Sequence, residues 1–430
     1  MRIANHASLA GTRLRADALA IAEAGLEAID TAAAVRRAVR WSGTALSVGD
    51  LTVPAGPGRL LLVAVGKCAS VAAAALREIL GGRLDGGIVL DVDAAAPRDL
   101  APLTWLAGTH PLPSPANVAA TRRIVALLEQ AGHDDLVVGV VSGGGSTLLC
   151  LPPDGASPEA ERAVLEALVQ AGATIGEINT VRKHSSLARG GQLARYAYPA
   201  RVVALIFSDV PGGSPDLIAS GPTVRDPSTV RDAEAVLRRY GLPAAAGLAP
   251  LPLVETPKAE RFFERVEHRI VVSNELALRA MAGAAAQLGY AATVVTATLA
   301  GEAREAGERM VGDLDAAAPG TALLYGGETT VTVTGRGRGG RNLEAALSAL
   351  RSIGDARVVL TLASDGRDNG QFAGALADAP GREHARRLGL DLDARLADHD
   401  SYGFFERAGD YLLTGATGAN VADLIVALRR

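Results

Sequence analysis

The sequence predicts an α/β protein of two domains, and three observations carry that prediction. Short β-branched runs, apolar on both faces, alternate with Ala/Leu/Arg-rich helical stretches. That is the pattern of a parallel sheet covered on both sides. A proline- and alanine-rich segment without periodicity interrupts the alternation near the middle. The chain has 430 residues, 48% of them apolar, enough for two domains that each bury a core.

LLLVAVG (60–66), GGIVLDV (86–92), LVVGVV (136–141) and RVVALIF (201–207) read as buried strands, with helical patterns near 69–80, 115–131, 157–172 and 228–240. Residues 242–260, LPAAAGLAPLPLVETPKAE, mark the linker. The resulting division is a domain over 1–245, a linker over 246–265 and a smaller domain over 266–430. In the second series RIVVSN (269–274), ATVVTA (292–297), TALLYGG (321–327), VVLTLASD (358–365) and YLLTG (411–415) read as strands. TTVTVTG (329–335) alternates and follows TALLYGG almost at once, which predicts a hairpin and hence a mixed second sheet.

Composition excludes several classes. The formal net charge of −4 gives no general affinity for nucleic acid or an anionic membrane. No apolar stretch approaches the roughly 18 residues of a spanning helix, and the N-terminus lacks the apolar core of a signal peptide. Two cysteines, Cys68 and Cys150, fit a reducing cytoplasm better than a disulfide scaffold.

In open α/β sheets ligands sit beyond the carboxyl ends of the strands. Read in order, those ends are Gly66-Lys67, Asp91/Asp93, Ser142-Gly143-Gly144-Gly145-Ser146 and Ser208-Asp209. The second domain adds Ser273-Asn274, Gly326-Gly327-Glu328, Ser364-Asp365-Gly366 and Thr414-Gly415. Three successive glycines let main-chain N–H groups turn inward around an anion, with a helix N-terminus behind them. A tight strand-to-helix turn would use the same residues. Lys67, at a helix start, is poorly placed for the helix dipole unless an anion lies near; that reading is favoured over a lysine that snorkels to water.

INTVRKHSSLARGGQLA (178–194) gathers Arg182, Lys183, His184 and Arg189 beside Asn179 and Thr180, with no acid between Glu177 and Arg195. It suits a carboxylate or phosphate. Asp209, opening SDVPGGSPDLIASGPT (208–223), is a candidate Mg²⁺ ligand or a turn cap. VTGRGRGGRN (333–342) literally fits G-x-G-x-x-G through Gly335, Gly337 and Gly340, which would suit a dinucleotide. Arg336, Arg338 and Arg341 crowd that loop, and they read better as clamps on phosphate. The histidines, His110 among them, show no metal-ligand spacing.

Taken together, GKCA (66–69), THPLPSP (109–115), VSGGGSTLL (141–149), INTVRKHSS (178–186), SDVPG…IASGPT (208–223), GGETTVTVTGRGRGGRN (326–342), SDG (364–366), DSYGFFE (400–406) and TGATGANV (414–421) follow one another in order. The run resembles the class II glycerate 2-kinases, whose C-terminal half is called the MOFRL domain. The resemblance implies a Rossmann-like first domain, a smaller α/β second domain with a cleft between them, and ATP- and Mg²⁺-dependent phosphorylation of the 2-hydroxyl of D-glycerate. The family lysine falls on Lys67 and the arginine of its G-G-R-N motif on Arg341. Members have often been labelled hydroxypyruvate reductases.

The chain departs from the family pattern. Gly213 and Ser214 replace two acids of SDVPGDD, Arg367 enters a shortened SDG loop, Ala416 and Ala419 alter GPTGTNV, and Leu343 follows G-G-R-N. A different hydroxy-acid acceptor, an NAD(P)H-dependent hydroxypyruvate reductase and an inactive small-molecule sensor therefore stay open. The expected catalytic set is Lys67, Arg341 and Asp209, with Asp209 also the expected metal ligand. Ser142, Gly143, Gly144, Gly145, Ser146, Asn274, Gly327 and Glu328 are expected to bind phosphate or nucleotide. Asn179, Arg182, Lys183 and Asp365 are expected to bind the substrate. The implied partners are ATP and a small hydroxy acid, with no nucleic acid or membrane; a homodimer is compatible with the reading.

Overall fold

The computed structural model describes residues 1–92, 100–210 and 212–430. Asp93, named above beside Asp91, and Pro211 of the SDVPG loop lie outside the described residues. The chain forms two compact units: Ala34–Ser208 with Gly213–Val271, and Met1–Ala33 with Asp209–Gly212 and Val272–Arg430.

The first unit opens with a small antiparallel meander of β1 (Val39–Trp41), β2 (Ala45–Val48) and β3 (Leu51–Pro54). Its main sheet contains β4 (Leu60–Val65), β5 (Gly86–Val92), β6 (Leu103–Gly108), β7 (Leu136–Ser142), β8 (Arg201–Phe207) and β9 (Val266–Val272), in the spatial order β6-β5-β4-β7-β8-β9. The four pairings from β6 through β8 are parallel. Every residue of β4 and β7 is buried, as strands covered on both faces require. Leu61, Val63 and Val65 join Ile124 and Leu128 of the helix Pro115–Leu128 in one core. The chain lays strands outward from β4 in one direction, returns, and lays β7 to β9 in the other. This is the Rossmann order, and its switch point lies between β4 and β7.

The second unit holds β10 (Ala291–Leu299), β11 (Thr321–Gly327), β12 (Arg357–Ala363), β13 (Gly374–Asp378), β14 (Tyr411–Leu412) and β15 (Asp423–Arg429), in the order β10-β11-β15-β12-β13-β14. β10 and β11 are parallel, and the remaining pairings are antiparallel. The helix Arg341–Ser352 buries Leu343, Leu347 and Leu350 in the core of this unit.

The mixed sheet is present, but its expected cause is not. TTVTVTG forms no hairpin: β11 is bonded by β10 on one edge and β15 on the other, which leaves no edge for a returning strand. The segment is irregular, with one isolated bridge between Thr330 and Glu302. The division of the chain also differs from the sequence reading. The proline-rich stretch stays with the first unit, where the Val254 N–H donates to His184 O at 2.7 Å and Thr256 Oγ1 donates to Asp226 at 3.1 Å. RIVVSN accordingly ends the first sheet as β9. The first 33 residues belong to the second unit. There Arg15 donates to Asp378 at 2.6 and 2.7 Å and to Asp410 at 2.6 Å, and Tyr290 donates to Asp17 at 2.8 Å. No helix among the described residues is long and apolar enough to cross a membrane.

Candidate functional site

At the switch point of the first unit, the ends of β4 and β7 meet. Gly66 has φ +124°, and a side chain there would collide with Ser142 Oγ. The Lys67 N–H donates to Gly143 O at 2.9 Å, so the two loops form one surface. Gly144 turns left-handed at φ +81°. A Cβ on it would stand 3.0 Å from Lys67 Cγ and 3.3 Å from His110 Cδ2, so both side chains lean over the same bare backbone. Gly145 is required because a side chain would meet Ala219. The helix behind the loop, Gly145–Leu148, is a single turn. Its dipole adds less than the full helix implied by the glycine motif.

Not every hydroxyl of the SGGGS run faces outward. Ser142 is buried and donates to Val65 O at 3.3 Å, tying the two strand ends together. Ser146 shares a 2.9 Å hydrogen bond with Ser220 and also lines a cavity of about 570 Å³. His110, Gly144, Thr147, Arg182 and Arg189 line the same cavity, with Glu161, Arg162 and Glu166 on its helix wall. Burial and the Lys67 charge hold the His110 imidazole below its ordinary range, which favours the neutral ring. Its place here escaped sequence reasoning because THPLPSP carries no spacing signal of its own.

The helix Ile175–His184 separates residues that are adjacent in sequence. Arg182 reaches the cavity and donates to Asn179 Oδ1 at 2.9 Å. Lys183, about 100° further round, is buried and faces Asp226 at 3.4 Å and Asp216 at 3.9 Å. The expected pairing of Arg182 with Lys183 on a ligand is therefore not formed; Lys183 is a buried counter-ion. The partner of Arg182 is Arg189, only 2% exposed. Arg189 donates through Nη1 to buried Glu161 and to Arg182 O, while its Nε is buried without a partner. Only Arg189 pairs with that carboxylate; Arg182 makes no ion pair among the described residues. Burial and the charge of Arg189, against the pull of Glu161, push Arg182 down to about 10. An anion in the cavity relieves both deficits, and a phosphate or carboxylate fits this donor set.

In the second unit, Arg341 begins the helix Arg341–Ser352 and donates to Asp423 through Nε at 2.7 Å and Nη2 at 3.0 Å. Its Nη1 reaches Glu328 at 2.7 Å. Asn342 Nδ2 donates to Asp423 at 2.8 Å, and the amides of Asn342 and Leu343 donate to buried Asp368 at 3.1 and 2.7 Å. The pair Arg341-Asn342 thus bridges three carboxylates; sequence reasoning singled out Glu328 but neither Asp423 nor Asp368. Burial is the largest influence on Arg341 and opposes its charge, but Asp423 and Glu328 raise it above the ordinary arginine value.

Residues 17–248 match the model of a domain of unknown function, DUF4147, and residues 321–423 match the MOFRL family. A D-glycerate 2-kinase of Thermotoga maritima is 38% identical over 86% of this chain and 90% of its own length. The chain belongs to this family. The crystal structure of a glycerate kinase from Thermotoga maritima superposes with a TM-score of 0.86 at 35% identity, covering 95% of this chain and 98% of the other. A protein of Agrobacterium vitis named as a hydroxypyruvate reductase is 41% identical over 85% of this chain and 86% of its own length.

The reductase name is the weaker alternative for this MOFRL-family chain, because the glycine fingerprint is otherwise employed. Side chains at Gly335 and Gly337 would strike the Asp398–Asp400 turn, and one at Gly340 would strike Asp368. These glycines let the loop pass over another segment of its own unit. Two expected nucleotide residues are also engaged in packing. Buried Asn274 donates to Val421 O at 2.7 Å and Asp423 O at 3.2 Å. A side chain on Gly327, at φ +147°, would strike the Leu299 backbone. Leu343 is a core residue, so that departure from the family pattern leaves the surface loops unchanged. Asp365 is exposed and accepts from the Arg367 N–H at 3.0 Å; Asp209 is half-buried. Among the described residues no group of three or more His, Cys, Asp or Glu side chains could hold a metal. Magnesium held by one or two carboxylates and substrate phosphates needs no such cage, and Asp209 has the donor chemistry for it.

Proposed function

We propose that the protein transfers the γ-phosphoryl group of ATP to the 2-hydroxyl of D-glycerate or a close 2-hydroxy acid, giving the 2-phosphate and ADP. One observation carries the reading most strongly. Lys67 and the glycine loop are joined at the Rossmann switch point, beside a cavity where Arg182 makes no ion pair among the described residues and Arg189 leaves its Nε unpartnered. In the reading, Arg182 and Arg189 hold the acceptor carboxylate, positioned by Asn179 and Glu161. The amides of residues 143–146 and Lys67 hold the phosphoryl group. The hydroxyl oxygen bonds to the γ-phosphorus, the bond to the bridging oxygen breaks, and ADP leaves. Asp209 is assigned the hydroxyl proton or the magnesium, Asp365 the orientation of the acceptor, and Arg341 the neutralisation of developing charge. Bound magnesium supplies further charge neutralisation on the phosphates. Transfer of this kind is mostly positioning and electrostatics. Neither buried cysteine forms a disulfide, which supports a cytoplasmic setting.

The test is a panel of short hydroxy acids assayed for ADP release, with the product's position read by phosphorus NMR. D-Glycerate giving a 2-phosphate is the expected result. Absence of ADP release with every acid, together with NADH oxidation by hydroxypyruvate at 340 nm, would move the protein to the reductases.

A further inference from the structure

The second unit carries a cavity of about 720 Å³ that the reading above leaves without an occupant. Arg338, Arg367, Asn369, Gln371 and Tyr402 stand on its walls, and no acid is among its lining residues. Tyr402 is buried and stacks on Phe372 with ring centroids 4.2 Å apart and planes 7° apart. Phe372 stacks in turn on Tyr411 at 4.0 Å and 10°. The Arg338 guanidinium lies 3.6 Å over the Tyr402 ring and caps this column. The Tyr402 N–H donates to Arg338 O at 2.8 Å, which fixes the arginine's backbone beneath its own side chain.

Arg338 and Arg367 are both exposed, and neither guanidinium has an ion-pair partner among the described residues. Asn369 Nδ2 donates to Gly339 O at 2.7 Å, which leaves its amide oxygen and its second N–H available to a ligand. Gln371 lines the same cavity. A simple anion would use the edges of the guanidiniums and would need neither a planar cation held over an aromatic column nor two carboxamides. A base uses all of them. It stacks on an arginine plane, and Asn and Gln side chains pair with the donor–acceptor edge of adenine.

We propose that this cavity is a purine-nucleotide subsite. The base lies on the outer face of Arg338, Asn369 and Gln371 meet its edge, and Arg367 takes phosphate. The choice of an adenine nucleotide rests on the kinase reading; the geometry is independent of it.

The probe is the fluorescent analogue mant-ADP, titrated into the full chain without acceptor, with adenosine and pyrophosphate as competitors. Arg338→Ala should weaken mant-ADP and adenosine alike by about tenfold, the value of one stacked base. Arg367→Ala should weaken mant-ADP by a similar factor and leave adenosine competition within about twofold. Both side chains are exposed, and unchanged melting temperatures establish that the variants fold. Two variants that bind mant-ADP like the parent overturn the proposal. So does displacement by pyrophosphate with none by adenosine, which would make the cavity an anion site only. A parent that binds mant-ADP in the predicted pattern but makes no phosphoglycerate defeats the kinase reading alone. A parent that turns over, with an ATP KM unmoved in both variants, defeats the subsite alone.

Discussion

Asp423 accepts from Arg341 at 2.7 and 3.0 Å and from Asn342 at 2.8 Å while only 2% exposed, at the first residue of the strand that separates β11 from β12. Arg341 therefore has a structural duty before any catalytic one. A buried carboxylate stripped of its cation costs about 3–5 kcal/mol.

Arg341→Ala should thus lower the melting temperature and lower kcat on the order of 10²-fold. Arg341→Lys separates the two duties, because it keeps the charge over Asp423 but loses the two-pronged grip. Expected for Arg341→Lys is a melt close to the parent with kcat still depressed. If Arg341→Ala melts with the parent and turns over normally, both duties are wrong.

The first unit gives a contrast between two kinetic parameters. Lys67 leans over Gly144 at the phosphoryl position, whereas Arg182 is assigned the acceptor carboxylate. Loss of transition-state charge stabilisation appears in kcat, and loss of ground-state binding appears in KM. Lys67→Ala should cost on the order of 10² in kcat. Arg182→Ala should raise the KM for the hydroxy acid about tenfold or more, as loss of a charge-assisted contact does, with the KM for ATP little changed. Steady-state kinetics with each substrate varied in turn decides this, and a reversed pattern would exchange the two assignments.

How much of this was legible in the sequence depended on whether the deciding contact was local. Strands such as GGIVLDV and TALLYGG coincide with the observed β5 and β11, because burial of both faces at their centres leaves a mainly apolar run. The Lys67 and SGGGS loops were legible as neighbours because both sit at strand ends, and the structure joins them there. What failed depended on distant partners. TTVTVTG has the right alternation, but Asp423–Arg429 already occupies the edge it needs. Lys183 and Arg182 look equivalent as letters, yet the helix sends one toward Asp226 and the other to the cavity. The fingerprint glycines are dictated by a turn some 60 residues later in the chain.

Arg15 tests one such distant partner. It is the cation between Asp378 and Asp410, both buried in the second unit, and no sequence pattern ties residue 15 to residues 378 and 410. Arg15→Met keeps the aliphatic volume and removes the charge. It should destabilise the second unit by about 3–5 kcal/mol, since two buried carboxylates then lack a counter-ion. Urea melts monitored by circular dichroism measure it. A loss under about 1 kcal/mol would mean that water already neutralises the pair.

Asp368 makes the last prediction, in pH. Burial, with Asp423 adding to it, raises its carboxyl to about 6 from the usual 3.8, against the pull of the Leu343 and Asn342 amides. The fold therefore favours the protonated form. Its contribution is fully present below the unfolded value near 3.8 and is lost as pH rises through about 6. Between pH 7.5 and pH 5 the parent should gain stability relative to Asp368→Asn, on the order of 2 kcal/mol at most. The variant carries no proton equilibrium at this position. It is less stable at every pH, because its amide cannot accept both the Asn342 and Leu343 N–H groups. The difference between two urea melts at each pH isolates the contribution of Asp368, since Arg15, Asp378 and Asp410 are common to both proteins. Parallel pH profiles for parent and variant would show that Asp368 is already ionised in the fold, as a helix-capping carboxylate with water access would be.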